Sequence, residues 1–295
     1  MGFPRLNLSR RQWIQTVTGM TCGIAGGLTV QSLVVTPQSL SQTHLHIGTT
    51  ALPDEKALRI VQLSDLHLRD IGALETMLLE SVKAAKPDVI LLTGDAISHK
   101  NGLHPLSEFL GKLPPTTHRI AIMGNWEYKA GLTSSSFQKY LRTFDFQLLV
   151  NESCQLEYAS KILKITGFDD LLGGQLHPIR SDKSTVHVDE HLVLAHCPAT
   201  RDIVYKLSPV PPSLILSGHT HGGQIAPGGF PLYTPPGSGD YVSGWYRDYG
   251  PPLYVSRGIG TSLLPLRIGS SPELIILDWH LTQANASMNP KAEIS

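Results

Sequence analysis

Seven side chains able to bind a hard or borderline divalent cation follow apolar runs in this sequence. Asp65 and His67 come after residues 58–64, Asp95 after 88–93, Asn125 after 118–123, His196 after 192–195, and His219 and His221 after 214–217. Carboxylate, amide oxygen and imidazole together suit zinc, iron and manganese. Seven protein groups are more than one ion with an open position uses, so the economical arrangement is two ions that share a carboxylate. Asp65, Asp95 and Asn125 are thirty residues apart, an interval that fits one strand and one helix.

Side chains so distant in sequence meet only if the intervening elements return the chain to one edge each time. Residues 58–64 read as a strand, 71–86 as a helix with apolar residues three and four apart, and 88–93 as a buried strand, with Pro87 at the break. A short helix over 103–113, a strand over 118–123 and a helix over 134–144 opened by capping serines continue the pattern. Further strands are expected at 161–166, 192–195, 214–217, 253–256 and 273–279. The fold class is therefore α/β, with a parallel sheet covered by helices. Neighbouring strand ends in such a sheet lie ~4.8 Å apart, and ligands gather outside their carboxyl ends. Asp189-Glu190-His191 repeats the D-x-H spacing but precedes a strand, which assigns it to the opposite edge and to the surface.

Composition excludes several classes. The chain has 295 residues, 27 glycines and 21 prolines, too few for a low-complexity protein. Lys plus Arg and Asp plus Glu both count 24, so no basic field points to nucleic acid. Three cysteines without a C-x-x-C make neither a disulfide framework nor a cysteine-rich zinc site. Buried free thiols are the default for Cys154 and Cys197, with pairing open to them outside the cell.

The charge is unevenly spread. Residues 1–53 hold Arg5, Arg10 and Arg11 and no acid, which leaves 21 basic against 24 acidic residues, or −3, for the rest. Ser9-Arg10-Arg11-Gln12-Trp13-Ile14 and the weakly apolar run to Val35 have the order of an export signal, and the paired arginines resemble a twin-arginine signal. Residues 1–53 are thus expected to be a leader or membrane anchor plus linker, with the domain outside, 54–285 one folded domain, and 286–295 a flexible tail. Ser39-Leu40-Ser41 is a poor cleavage site, so removal of the leader stays open, as does the oligomeric state.

D-x-H at Asp65 and His67, G-D at Asp95, G-N at Asn125, the lone His196 and G-H-x-H at His219 and His221, in this order, resemble the calcineurin-like metallophosphoesterases. The similarity runs from about Leu58 to Leu281. Ser256-Arg257-Gly258-Ile259-Gly260 and Pro265-Leu266-Arg267-Ile268-Gly269 look like its bacterial exported or membrane-anchored branch. The resemblance implies a layered α/β/β/α sandwich with two divalent ions, manganese, iron or zinc. It places Asp65, His67 and His221 on one ion, Asn125, His196 and His219 on the other, and Asp95 between them, with Asp95, Asn125 and His196 assigned to catalysis. It also implies hydrolysis of a phosphate ester by metal-activated hydroxide. No covalent intermediate is needed, so Ser64, Ser217 and Cys197 are expected to orient neighbours. Asp169, Asp170 and Glu127 are candidates to orient the imidazoles.

One position departs from that family. After Gly-Asn it usually has His, and here it has Trp126, whose indole donates a hydrogen bond but cannot act as an acid. A protonated leaving group contributes typically 10²–10⁴-fold, so a phosphodiester or pyrophosphate-type bond is favoured over an alkyl monoester. A phosphomonoesterase, or a metal-binding protein without turnover, is the alternative. His99 or Asp169 is left to supply a proton. Trp126, Asp169 and Tyr233 are the candidate substrate contacts. Phe230, Tyr233, Tyr241, Trp245, Tyr246 and Tyr249, in a Gly/Pro-rich stretch after His221, are expected to wall the site. The expected partner is a small-molecule or lipid-linked phosphate ester, with membrane association through the N-terminus and no nucleic acid. A peptidase would need H-E-x-x-H and a nuclease a basic groove, and the sequence promises neither. Arg257 and Arg267 are either phosphate ligands or surface salt-bridge partners.

Overall fold

A computed structural model describes residues 39–48, 56–179 and 187–282. Two six-stranded sheets pack face to face. The first has the order β1 (Ser41–Ile47), β12 (Glu273–Trp279), β2 (Leu58–Leu63), β3 (Val89–Thr93), β4 (His118–Ile122) and β5 (Gln147–Leu148). The second runs β10 (Gly244–Tyr246), β11 (Leu253–Val255), β9 (Leu214–Ser217), β8 (Glu190–Leu194), β7 (Lys161–Gly167) and β6 (Glu152–Tyr158). The strands β2, β3, β4 and β5 are parallel, as are β7, β8, β9 and β11.

Near-continuous apolar runs make these strands because both faces are buried. Along β3, Val89 and Leu91 face the second sheet while Ile90 and Leu92 face helices. On β8, Leu192 and Leu194 point inward and Val193 points to the outer layer. The inter-sheet core joins Leu58, Ile60, Ile120 and Trp279 to Leu163, Leu214 and Leu216. Outside the first sheet lie α1 (Ala73–Ala85), α2 (Leu103–Gly111) and α4 (Ser134–Leu141), which bury Leu78, Val82, Phe109 and Phe137 against it. The short α5 (Val204–Leu207) covers the second sheet through Val204 and Leu207. This is the expected α/β/β/α sandwich.

Local chemistry sets the helix ends. Gly72 precedes α1 and Glu75 reaches back to its N–H at 2.9 Å, while left-handed Lys86 and then Pro87 stop it. The cap of α4 is Thr133, whose hydroxyl accepts from Ser136 N–H at 3.1 Å, so the serines expected as caps fill the first turn instead.

The strand β1 corrects the domain boundary. Its residues fall within the stretch 1–53 assigned to leader and linker, yet they pair in parallel with β12, Ser41 opposite Glu273 through Ile47 opposite Trp279. A short strand that opens with four polar residues and has only Leu45 and Ile47 apolar gives little signal before its partner is known. Residues 1–38, with the twin arginines, and the tail 286–295 lie outside the described residues. Among the described residues no helix is long and apolar enough to cross a membrane.

Candidate metal centre

Five strand ends from the two sheets converge on one edge. The turn after β2 carries Asp65 and His67, that after β3 Asp95, and that after β4 opens α3 (Asn125–Lys129); His196 follows β8, and His219 and His221 follow β9. Asp65, His67, Asp95, His219 and His221 all have positive φ, from 44° to 72°. Left-handed backbone is uncommon for such residues, and five together are strain that the surroundings must hold. The Asp65 and His67 N–H groups donate to Gly94 O and Asp95 O at 3.1 and 2.9 Å. Both Asp65 carboxylate oxygens accept from His219 N–H at 3.0 Å, which ties one sheet to the other. At Gly94, with φ of 88°, a side-chain carbon would sit 2.6 Å from His196 Nδ1, so only glycine fits.

The seven residues are buried together. Asp65, His67 and His221 offer ligand atoms within 4.8 Å of one another, and so do Asp95, His196 and His219. The two triads touch through Asp95, whose Oδ2 is 3.1 Å from His196 Nε2 and 3.6 Å from His67 Nε2. Asn125 Oδ1 completes the second group at 3.1 Å from His219 Nδ1.

The far ring nitrogens explain the orientation. His196 Nδ1–H donates to Thr93 O at 2.9 Å and His219 Nε2–H to Pro236 O at 2.7 Å, because a carbonyl only accepts. That leaves the lone pair of His219 Nδ1 converging with Asn125 Oδ1 at 3.1 Å and His196 Nε2 at 3.3 Å, three groups that offer lone pairs to a cation once His196 gives up its proton. The donor set therefore fits a divalent metal. His67 Nδ1 meets Ser98 Oγ at 3.0 Å. Arg267 Nη2 lies 3.1 Å from His221 Nδ1 and steadies that ring, whose Nε2 faces His67 Nε2 at 3.1 Å.

Protonation follows the same contacts. Burial disfavours ionised Asp95, yet His196 and His67 outweigh it and hold this carboxyl well below the usual range. His196 is raised well above an ordinary imidazole, since Asp95 overcomes the burial that lowers it. Burial brings His67 down to about 4. Burial, His67 and Arg267 push His221 well down, and burial and His196 lower His219. Burial raises Asp65.

Several expected neighbours of the site do something else. Glu127 touches no imidazole: its carboxylate accepts from the N–H groups of Asp95, Ala96 and Gly124 at 2.9, 2.6 and 2.9 Å, and burial raises it to about 7. The Asp169 oxygens are taken by Tyr128 Oη at 2.5 Å and by the N–H groups of Asp170 and Gln175, so this candidate substrate contact and proton source is a loop clamp. Asp170 accepts from Leu172 and Gly173 N–H and from the Cys197 thiol. Ser64 donates to Asp65 at 2.6 Å. Cys154 and Cys197 are free. His191 is buried between Thr166 Oγ1 and Val210 O, not exposed, although it is at the opposite edge as expected.

Trp126 is at the site. Its backbone N–H donates to Asp95 Oδ1 at 2.8 Å, and its indole meets the His67 ring edge to face, 5.7 Å between centroids. Exposed His99 stands 6.3 Å from the indole on the same pattern. The aromatic wall divides: Tyr241 packs on Tyr246 and Trp245 on Tyr254, while Phe230, Tyr233 and Tyr249 are exposed. Tyr233 makes no described contact with a candidate ligand. Arg257 pairs with Glu273 at 3.2 Å. Arg267 is neither a phosphate ligand nor a surface group: it is 0% exposed and donates to the carbonyls of Gly260, Arg257 and Ser270 as well as to His221. Sequence spacing marks neither its burial nor the pairing of Ser98 with His67.

Comparison with known proteins agrees with this geometry. The profile of the calcineurin-like phosphoesterase family matches residues 58–223. The metallophosphoesterase YkuE of Bacillus subtilis is 31% identical, over 91% of this chain and 96% of its own length. YkoQ of the same organism, also a metallophosphoesterase, is 32% identical over 76% and 84%. The phosphodiesterase YaeI of Escherichia coli is 28% identical over 75% and 81%.

Proposed function

Because this chain belongs to the calcineurin-like phosphoesterase family, and is a metal-dependent phosphoric ester hydrolase, we propose that it uses a dinuclear centre to hydrolyse a phosphodiester or pyrophosphate-type bond. The observation that carries this is Asp95 Oδ2 lying between His196 Nε2 and His67 Nε2, one from each triad. Asp65, His67 and His221 would hold one divalent ion and Asn125, His196 and His219 the other, with Asp95 common to both. When bound, such ions supply Lewis-acid polarisation of phosphoryl oxygens and a nucleophile at neutral pH.

The protein residues do the rest. Thr93 O and Pro236 O fix the tautomers of His196 and His219, and Glu127 holds the backbone of Asp95 and Gly124, so the ligand atoms are preorganised. Trp126 packs edge to face on His67, and its indole offers an N–H but no acid. A leaving group that needs a proton must draw it from solvent or from exposed His99. A diester or pyrophosphate expels a better anion than an alkyl monoester and loses least. The phosphodiesterase relative in Escherichia coli supports the same choice.

A panel of bis(p-nitrophenyl) phosphate, a nucleotide-sugar pyrophosphate and an alkyl monoester, each with Mn²⁺, Fe²⁺ and Zn²⁺, tests the proposal. The first two should exceed the monoester in kcat/KM by about tenfold or more. A preference for the alkyl monoester overturns it. We also propose that the leader carrying Arg10 and Arg11 directs export or anchors the domain outside; equal cytosolic recovery of wild type and the Arg10→Lys/Arg11→Lys variant contradicts that.

A further inference from the structure

Two loops beside the metal centre carry no charge where they leave the body. Residues 222–239 and 258–266 contain no Asp, Glu, Lys or Arg. They are locked side by side. Gln224 Nε2 donates to Leu264 O at 2.9 Å, its Oε1 accepts from Ser262 N–H and Oγ at 3.1 Å, and Ala226 N–H donates to Ile268 O at 2.7 Å. From this frame project Phe230, Leu232 and Tyr233 on one loop and Leu263 and Leu264 on the other, exposed by 79, 72, 65, 77 and 51%. Monomer surfaces rarely gather such large apolar groups without a partner.

The lip borders the candidate ligands. One loop starts directly after His221, and in the other Gly260 N–H donates to Asp65 O at 2.7 Å. The N-terminal chain arrives at the same edge. Ser41 pairs with Glu273 and donates from its N–H to Pro272 O at 2.8 Å, and Glu273 N–H donates to Gly258 O at 2.9 Å. The segment before it, 1–38, bears a cationic end and the apolar run to Val35. Metal centre, apolar lip and the point where that segment joins the domain therefore share one end of the sandwich. Uncharged loops with Phe, Leu and Tyr at their tips suit the boundary between headgroups and acyl chains, where rings and leucines are buried and backbone polar groups stay wet.

We propose that this lip inserts into the surface of a lipid bilayer and turns the metal centre toward phosphodiester headgroups. The docking half stands on the loops and the position of Ser41; the substrate half rests on the phosphodiesterase reading above.

The test uses the full chain and vesicles of phosphatidylethanolamine and phosphatidylglycerol. Amide hydrogen exchange over 228–234 and 261–266 should slow by about threefold or more when vesicles are added, with no change around Tyr249, which is as exposed but flanked by Arg247 and Asp248. The variant Leu232→Ser/Leu263→Ser/Leu264→Ser should lose that protection. It should also cleave vesicle phosphatidylglycerol about tenfold more slowly, with soluble bis(p-nitrophenyl) phosphate turnover retained. Unchanged exchange in protein that sediments with vesicles overturns the docking. So does protection already present without vesicles and released by deleting residues 1–38, which would make the leader itself the occupant. Protection with soluble diester turnover but no lipid cleavage overturns the substrate half alone. Protection with no diester cleaved at all overturns the phosphodiesterase reading and leaves docking standing.

Discussion

Glu127 accepts the backbone N–H of Asp95 at 2.9 Å while accepting that of Gly124 at the same distance, so one buried carboxylate ties two metal-bearing turns together. Replacing it by Gln puts an amide N–H₂ against backbone donors. Glu127→Gln is expected to cost about 1–3 kcal/mol and to weaken metal binding. Burial raises the folded pKa to about 7 from 4.5, so the folded protein binds the extra proton between those values and stability falls as pH rises through that window. Against the opposite slope of the depressed histidines, which both proteins share, the stability lead of the wild type over the variant should shrink as pH rises from 4.5 to 7, read from paired thermal melts.

The raised His196 beside the depressed Asp95 predicts proton release on metal uptake. At pH 7 His196 holds a proton that a cation must displace, so affinity should fall as pH falls and about one proton per chain should leave at neutral pH. Calorimetry in two buffers of different ionisation enthalpy measures the number; a value of zero contradicts a protonated His196.

Trp126→His should restore an acid above His67. Turnover of an alkyl monoester is then expected to rise by about tenfold or more, within the 10²–10⁴ that such a donor contributes, while an activated diester changes little. Equal gains on both substrates would mean that the indole acts by shape alone.

Asp95→Ala removes the carboxylate between the triads and should lower kcat/KM by about a hundredfold or more and bound metal below two ions. The Glu108–Lys112 pair, exposed on α2, provides a control: Glu108→Ala should leave activity intact.

Much of this was legible because ligand-bearing turns sit directly after strands whose apolar runs are unmistakable. Asp65, Asp95, Asn125, His196, His219 and His221 are each within a few residues of such a run. The four edge strands β1, β5, β6 and β10 escape the sequence reading, since short or polar-faced edges resemble linkers until a partner is placed beside them. The orienting groups were missed for another reason. Thr93 O and Pro236 O are backbone carbonyls, which any residue supplies, and Arg267 lies 46 residues from His221 in the chain. Asp169 and Glu127 are expected to orient the imidazoles, yet backbone N–H groups, joined at Asp169 by the Tyr128 hydroxyl, compete for their oxygens and win.

The central claim is two cations working through one shared carboxylate. Stripped protein titrated with Mn²⁺, with bis(p-nitrophenyl) phosphate turnover followed against bound equivalents, tests it most directly. Turnover that climbs until two ions are bound per chain is the predicted result. A plateau at one ion, or turnover undiminished in stripped protein, would contradict it.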